Sequence, residues 1–149
     1  MTPTALILAA SLALAPLAAL AQPAVTHVPM SPRPGGGPPP PFSAAVVVGE
    51  TVYLSGITDG GTALGGTTAD AAKRVLDGLK RNAEAAGATM DDLAWVQVFS
   101  SDLADYQTFN EVYRTYFKGP MPARAYIGTD KLLGGARFEV MGVAVKRQR

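Results

Sequence analysis

The chain predicts an α+β domain, one β-sheet with two helices on one of its faces, and three observations lead to it. Short β-branched and aromatic runs flank Gly49-Glu50, two later stretches repeat apolar residues every three or four positions, and further short apolar runs separate and follow those stretches. Helices interleaved with strands, on a sheet begun by a hairpin, bury one sheet face under a helical layer.

The hairpin is Ala45 to Val48, a Gly49-Glu50 turn, then Thr51 to Ser55. The Gly-rich stretch from Asp59 to Gly66 reads as a loop. Thr67 or Thr68 can cap a helix whose apolar face is Ala72, Val75, Leu76, Leu79, Ala83 and Ala86, with Gly87 as its stop. Gly78 lies in the middle of that helix and costs about 1 kcal/mol relative to Ala unless something packs against it. Leu93 to Ser100 reads as a strand, with Trp95, Gln97 and Phe99 on one face and Val96 and Val98 on the other. Ser101 and Asp102 suit the start of a second helix, with an apolar stripe of Leu103, Tyr106, Phe109, Val112, Tyr113 and Tyr116. Gly119-Pro120-Met121-Pro122 breaks it, and strands follow at Ala123 to Gly128 and Arg137 to Val145. This order leaves one sheet face without a covering layer, which self-association would supply.

At 149 residues there is room for one domain, expected over residues 42–149. Residues 1–21 read as a signal peptide: Ala5 to Ala21 is an uncharged, largely apolar run ending in Ala19-Leu20-Ala21, the small-x-small form that precedes cleavage. The expected product is exported, to the periplasm, with cleavage after Ala21 and no membrane attachment thereafter. Against that reading, no Lys or Arg precedes Arg33, and an uncleaved anchor is the competing reading. Residues 22–41 hold eight prolines and three consecutive glycines and read as a disordered arm.

A net charge of +1, with both signs interspersed, argues against a nucleic-acid partner, which calls for a basic face. The terminal Lys146-Arg147-Gln148-Arg149 reads as a solvated tail. Without cysteine there is no disulfide, thiol nucleophile or thiolate metal site. The single histidine, His27, stands in the Pro-rich stretch without a partner, and no motif for a metal or a nucleotide cofactor is present, so no cofactor is expected. What remains is Arg124, a charged residue opening the otherwise apolar strand Ala123-Arg124-Ala125-Tyr126-Ile127-Gly128.

Pro122-Ala123-Arg124 occurs together with Leu54-Ser55-Gly56, Glu84-Ala85-Ala86-Gly87, Asn110-Glu111-Val112-Tyr113 and a closing Val143-Ala144-Val145. In this order and spacing they resemble the Rid (YjgF) family over essentially all of residues 42–149. The resemblance implies a chorismate-mutase-like subunit, a homotrimer with sheet faces inward, and ligand sites in clefts between subunits. It implies hydrolysis of reactive 2-imino or 2-amino-enoic acids to 2-keto acids and ammonia, with Arg124 gripping the substrate carboxylate. A guanidinium suits that task, because it presents two parallel donors and stays charged at any relevant pH. Ser55 and Asn110 match positions that line the cleft.

Three departures accompany the match. Met141 falls where the family's deaminases carry a Glu that positions the attacking water, in the run Glu139-Val140-Met141-Gly142. Phe42 replaces a frequent Tyr and lacks its hydroxyl, and Tyr126 replaces a smaller residue on Arg124's side of the strand. The anchor is kept while the water-handling side is altered. A deaminase is the leading reading, a non-catalytic trimeric carboxylate-binding protein the alternative, and an endoribonuclease the third, disfavoured for want of a usable His pair or basic stripe.

Overall fold

The structure is a computed structural model that describes residues 22–31 and 36–147. The expected signal segment, residues 1–21, lies outside the described residues. The expected α+β architecture holds: six strands form one mixed sheet, with two helices against it. The strands are β1 (Val25–Val28), β2 (Ala45–Val48), β3 (Thr51–Thr58), β4 (Leu93–Ser100), β5 (Ala123–Gly128) and β6 (Phe138–Val145). The helices are α1 (Thr68–Ala85), between β3 and β4, and α2 (Tyr106–Arg114), between β4 and β5.

Across the sheet the order is β1-β2-β3-β6-β4-β5, and every neighbouring pair is antiparallel except the parallel pair β4 and β5. β3 and β4 both run antiparallel to β6, so α1 joins two parallel strands across it, and α2 joins the parallel pair β4 and β5. Both crossovers step the same way across the sheet. Crossovers of one hand, the right hand, therefore carry both helices to the same face.

Under the helices the core is Val52, Leu54, Val96, Val98, Phe138 and Val140 from the sheet, against Val75, Leu76 and Leu79 of α1 and Phe109 of α2. Thr67 caps α1 in a reciprocal box with Asp70, each residue's backbone N–H donating to the other's side chain. At the far end Gly87, at φ 77°, lets its own N–H reach Glu84 O and that of Ala88 reach Ala83 O. Gly78 has the packing partner its position calls for: a Cβ there would stand 2.6 Å from Ile57 Cδ1, so the absent side chain lets β3 approach α1.

Three segments differ from the sequence expectation. The arm at residues 22–41 is not wholly without structure, because Val25–Val28 pairs in register with Val48–Ala45 as β1. Composition averaged over the prolines hides this short β-branched run, which gains its hydrogen bonds from the otherwise open edge of β2. His27 lies on this strand, exposed, with Nδ1 3.3 Å from Ser43 Oγ. In the second helical stretch, Leu103–Asp105 is a separate 3₁₀ turn in which the Asp102 side chain accepts from Ala104 N, and Leu103 and Tyr106 are exposed. The basic C-terminal segment is not a free tail throughout: Arg147 Nε donates to the buried Asp92 carboxylate at 2.9 Å and its Nη2 bonds Asp91 O.

The sheet face away from the helices carries Val46, Tyr53, Trp95, Phe99, Met141 and Val143, none of them buried.

Candidate functional site

Val96 of β4 lies opposite Arg124 of β5 and opposite Gly142 of β6, and Val98 lies opposite Tyr126. Val96 and Val98 are buried under the helices, so Arg124 and Tyr126 point to the helical side of the sheet, where α2 crosses above β5. Arg124 Nη2 donates to Asn110 Oδ1 at 2.7 Å, and its guanidinium carbon stands 4.6 Å from the centre of the Tyr113 ring. Asn110 and Tyr113 are three apart on α2 and so share its face. Tyr106, Phe109 and Tyr126 complete an aromatic surround, each with its ring centre within 5.9 Å of the guanidinium carbon.

This arrangement fixes the plane of the guanidinium while occupying one of its five donors. Beside it opens a recess of about 270 Å³ lined by Asn110, Tyr113, Arg114, Met121, Pro122 and Arg124. Burial pushes the Tyr113 phenol up to about 12, against the pull of the Arg124 charge, so its ring stays neutral beneath the cation. Tyr126 packs edge-on against Tyr106 and Phe109, and burial also raises its phenol. Its ring fills the end of the cluster next to the core.

Ser55, Phe42 and Met141 lie elsewhere in the chain. Met141 pairs with Gln97, one residue out of step with Arg124, and so occupies the open face of the sheet. Ser55, on β3, lies three strands from β5, roughly 14 Å at ordinary strand spacing, and its hydroxyl donates to Ser43 O at 2.7 Å. Phe42 is 52% exposed just before β2. A single chain thus brings Arg124, Asn110 and Tyr126 together and leaves Ser55, Phe42 and Met141 apart from them.

One residue joins the Arg124 site beyond those the sequence singles out for it. Tyr113 belongs to the apolar stripe of α2, and its spacing from Asn110 is the signal that it also shares the face turned to Arg124. Glu139 occupies Met141's face, and a Cβ added to Gly56 would collide with the Glu139 carboxylate and stand 3.3 Å from Met141 Cε. The carboxylate therefore folds over Gly56, the chain neighbour of Ser55. A side chain at position 56 would oblige the flexible end of Glu139 to swing aside. Among the described residues no group of acidic and histidine side chains is arranged to hold a metal ion.

Set beside known proteins, residues 37–146 match the endoribonuclease L-PSP family. The chain is 34% identical over 125 residues to the 2-iminobutanoate/2-iminopropanoate deaminase of Dermatophagoides farinae, covering 81% of this chain and 94% of that protein. With the rat (Rattus norvegicus) protein of the same name it shares 36% over 109 residues, 70% of this chain and 80% of the other. Among solved structures, E. coli TdcF with bound serine superposes with a TM-score of 0.71 at 26% identity, covering 82% of this chain and 100% of that one. The E. coli YjgF gene product does so with a TM-score of 0.66 at 29% identity, over 72% and 89%. The fold, the family match and these identities agree, and the chain belongs to the endoribonuclease L-PSP family, the Rid (YjgF) family.

Proposed function

We infer that the protein is a deaminase of reactive 2-imino and 2-amino-enoic acids, converting them with water to 2-keto acids and ammonia. The observation that carries this reading is the guanidinium of Arg124, held by Asn110, stacked on Tyr113 and opening into a small recess. Its free donors can take a carboxylate in a bidentate grip, which orients the adjacent C=N carbon. Water adds to that carbon, and the resulting carbinolamine releases ammonia. Two relatives carry a name that states this activity.

We further propose that the complete site forms between subunits of a homotrimer. Supporting this, Arg124 is separated from Ser55 and Phe42 across the sheet and from Met141 by facing its other side, and among the described residues the apolar open face has no covering layer. In this arrangement the Arg124 half of one subunit holds the carboxylate and the Ser55 half of the next handles water. Export, with cleavage after Ala21, is part of the same proposal and rests on the Ala5 to Ala21 run. N-terminal analysis of the secreted protein tests it, and retention of residue 1 in that material would refute it.

The activity is tested by generating 2-iminobutanoate in place with an amino-acid oxidase and following release of 2-ketobutyrate. The protein should accelerate release over the spontaneous rate, and Arg124→Ala should abolish the gain. The binding-only reading draws on Met141, whose methyl end stands where a proton-transferring carboxylate is otherwise expected. It is established instead if the protein adds nothing to the rate yet binds 2-ketobutyrate in an Arg124-dependent way.

A further inference from the structure

The recess beside Arg124 has a second cation. Arg114, the last residue of α2, lines it together with Arg124, and no Asp or Glu does. Among the described residues neither guanidinium takes part in an ion pair, although Arg137 and Arg147 each pair with a carboxylate. A basic residue in the last turn of a helix also faces the carbonyl ends of that helix. That role needs no particular side of the helix, whereas Arg114 is on the side that meets β5. Two unpaired cations bordering one small, otherwise neutral recess make a site with more positive charge than a single carboxylate can balance.

We propose that this recess takes a dicarboxylic acid, a 2-imino or 2-oxo acid whose side chain ends in a second carboxylate. Arg124 holds the carboxylate next to the reacting carbon and Arg114 the distal one. At about 270 Å³ the space lies just below the range of sites for drug-sized ligands, which suits a short diacid. Met121 and Pro122 supply an apolar wall for the intervening methylene groups. The proposal builds on the deaminase reading for the identity of the reacting carbon. The preference for a diacid stands or falls by binding alone.

The test compares 2-oxoglutarate with 2-oxobutanoate by calorimetric titration of the purified protein and of Arg114→Ala, Arg114→Lys and Arg124→Ala, with inorganic phosphate as a third probe. Native protein should bind 2-oxoglutarate at least tenfold more tightly than 2-oxobutanoate. Arg114→Ala should bring that ratio close to one and Arg114→Lys should restore part of it, while Arg124→Ala should weaken both ligands. Arg114 is exposed, so its variants should fold, and a circular dichroism spectrum verifies this for them and for Arg124→Ala, whose side chain is half-buried. Equal affinity for the two oxo acids in native protein, or equal losses in Arg114→Ala, would overturn the proposal. Phosphate binding as tightly as 2-oxoglutarate would also overturn it, in favour of a general anion recess. Failure to hydrolyse imines with the diacid preference intact would remove the deaminase reading and leave this one standing.

Discussion

Arg124 and Met141 project from opposite faces of the same sheet: Arg124 lies across from Val96, and Met141 across from the next residue, Gln97. One faces α2, the other the uncovered side. No side-chain rearrangement within one chain can bring them to a common substrate, so in the homotrimer proposed above they would act on one ligand only across a subunit boundary.

The anchor is the simplest part to test. Removing the guanidinium in Arg124→Ala should weaken 2-oxobutanoate binding by about 1.5 to 3 kcal/mol, the range of hydrogen bonds to charged groups. Arg124→Lys should recover only part of this, because a point charge cannot reproduce a two-pronged grip. Asn110→Ala should cost less, as it frees the guanidinium without removing it. Titration calorimetry distinguishes the three.

On the open face, two substitutions separate two accounts of water handling. If Glu139, folded over Gly56, has taken over the role of the missing carboxylate, Glu139→Gln should lower imine hydrolysis by 10² to 10⁴, the usual contribution of general acid-base help. If the role is simply vacant, Glu139→Gln should be nearly silent and Met141→Glu should raise the rate. We expect the first outcome, since the carboxylate already lies beside the methyl end of Met141. Keto-acid release by each variant decides it.

Between α1 and β3, Gly78→Ala should destabilise the protein by about 1 kcal/mol. The gain in helix propensity of roughly 1 kcal/mol is outweighed by overpacking of about 2 kcal/mol against Ile57. In an Ile57→Val background, which removes the methyl that a Cβ would meet at 2.6 Å, the same substitution should become stabilising. Urea unfolding of the four variants gives the coupling, and an unchanged sign would refute the packing account.

Acid should weaken the link between the C-terminal segment and the turn at Asp92. Burial raises this carboxyl, but hydrogen bonds from Thr89 and Arg147 outweigh it and hold the group below its ordinary value. A depressed carboxyl contributes its stability in full above the unfolded value near 3.9 and loses it as pH falls through the folded value. Arg147→Ala should cost about 1 kcal/mol at neutral pH, since Arg147 itself is largely exposed. It should also narrow the drop in urea midpoint between pH 5 and pH 2.

The strands at Ala45–Val48, Leu93–Ser100 and Ala123–Gly128 were legible to the residue, because their apolar runs are bounded by turn residues or by Gly and Pro, whereas the second hairpin strand runs on past Ser55 to Thr58. The helix over Thr68–Ala85 was equally plain from its period and from Gly87. β1 was not, since four residues among prolines carry too little local signal and the strand exists through its pairing with β2. The site was legible as a set of residue types and not as an arrangement. Arg124, Asn110 and Tyr126 come together, while Met141 on β6 faces the other side of the sheet, and the strand order that separates them from Ser55 and Phe42 depends on β6 inserting between β3 and β4. That insertion is a long-range pairing that no local pattern announces.

This strand order also has a genetic consequence. If one chain supplies the Arg124 half of each cleft and its neighbour the Ser55 half, a chain spoiled only at Arg124 and a chain spoiled only at Ser55 are each inactive alone. Assembled into one mixed trimer they still meet at an interface where both intact halves face each other. Two defective alleles expressed together would then restore part of the activity that neither provides, a complementation that no site held within one chain can show.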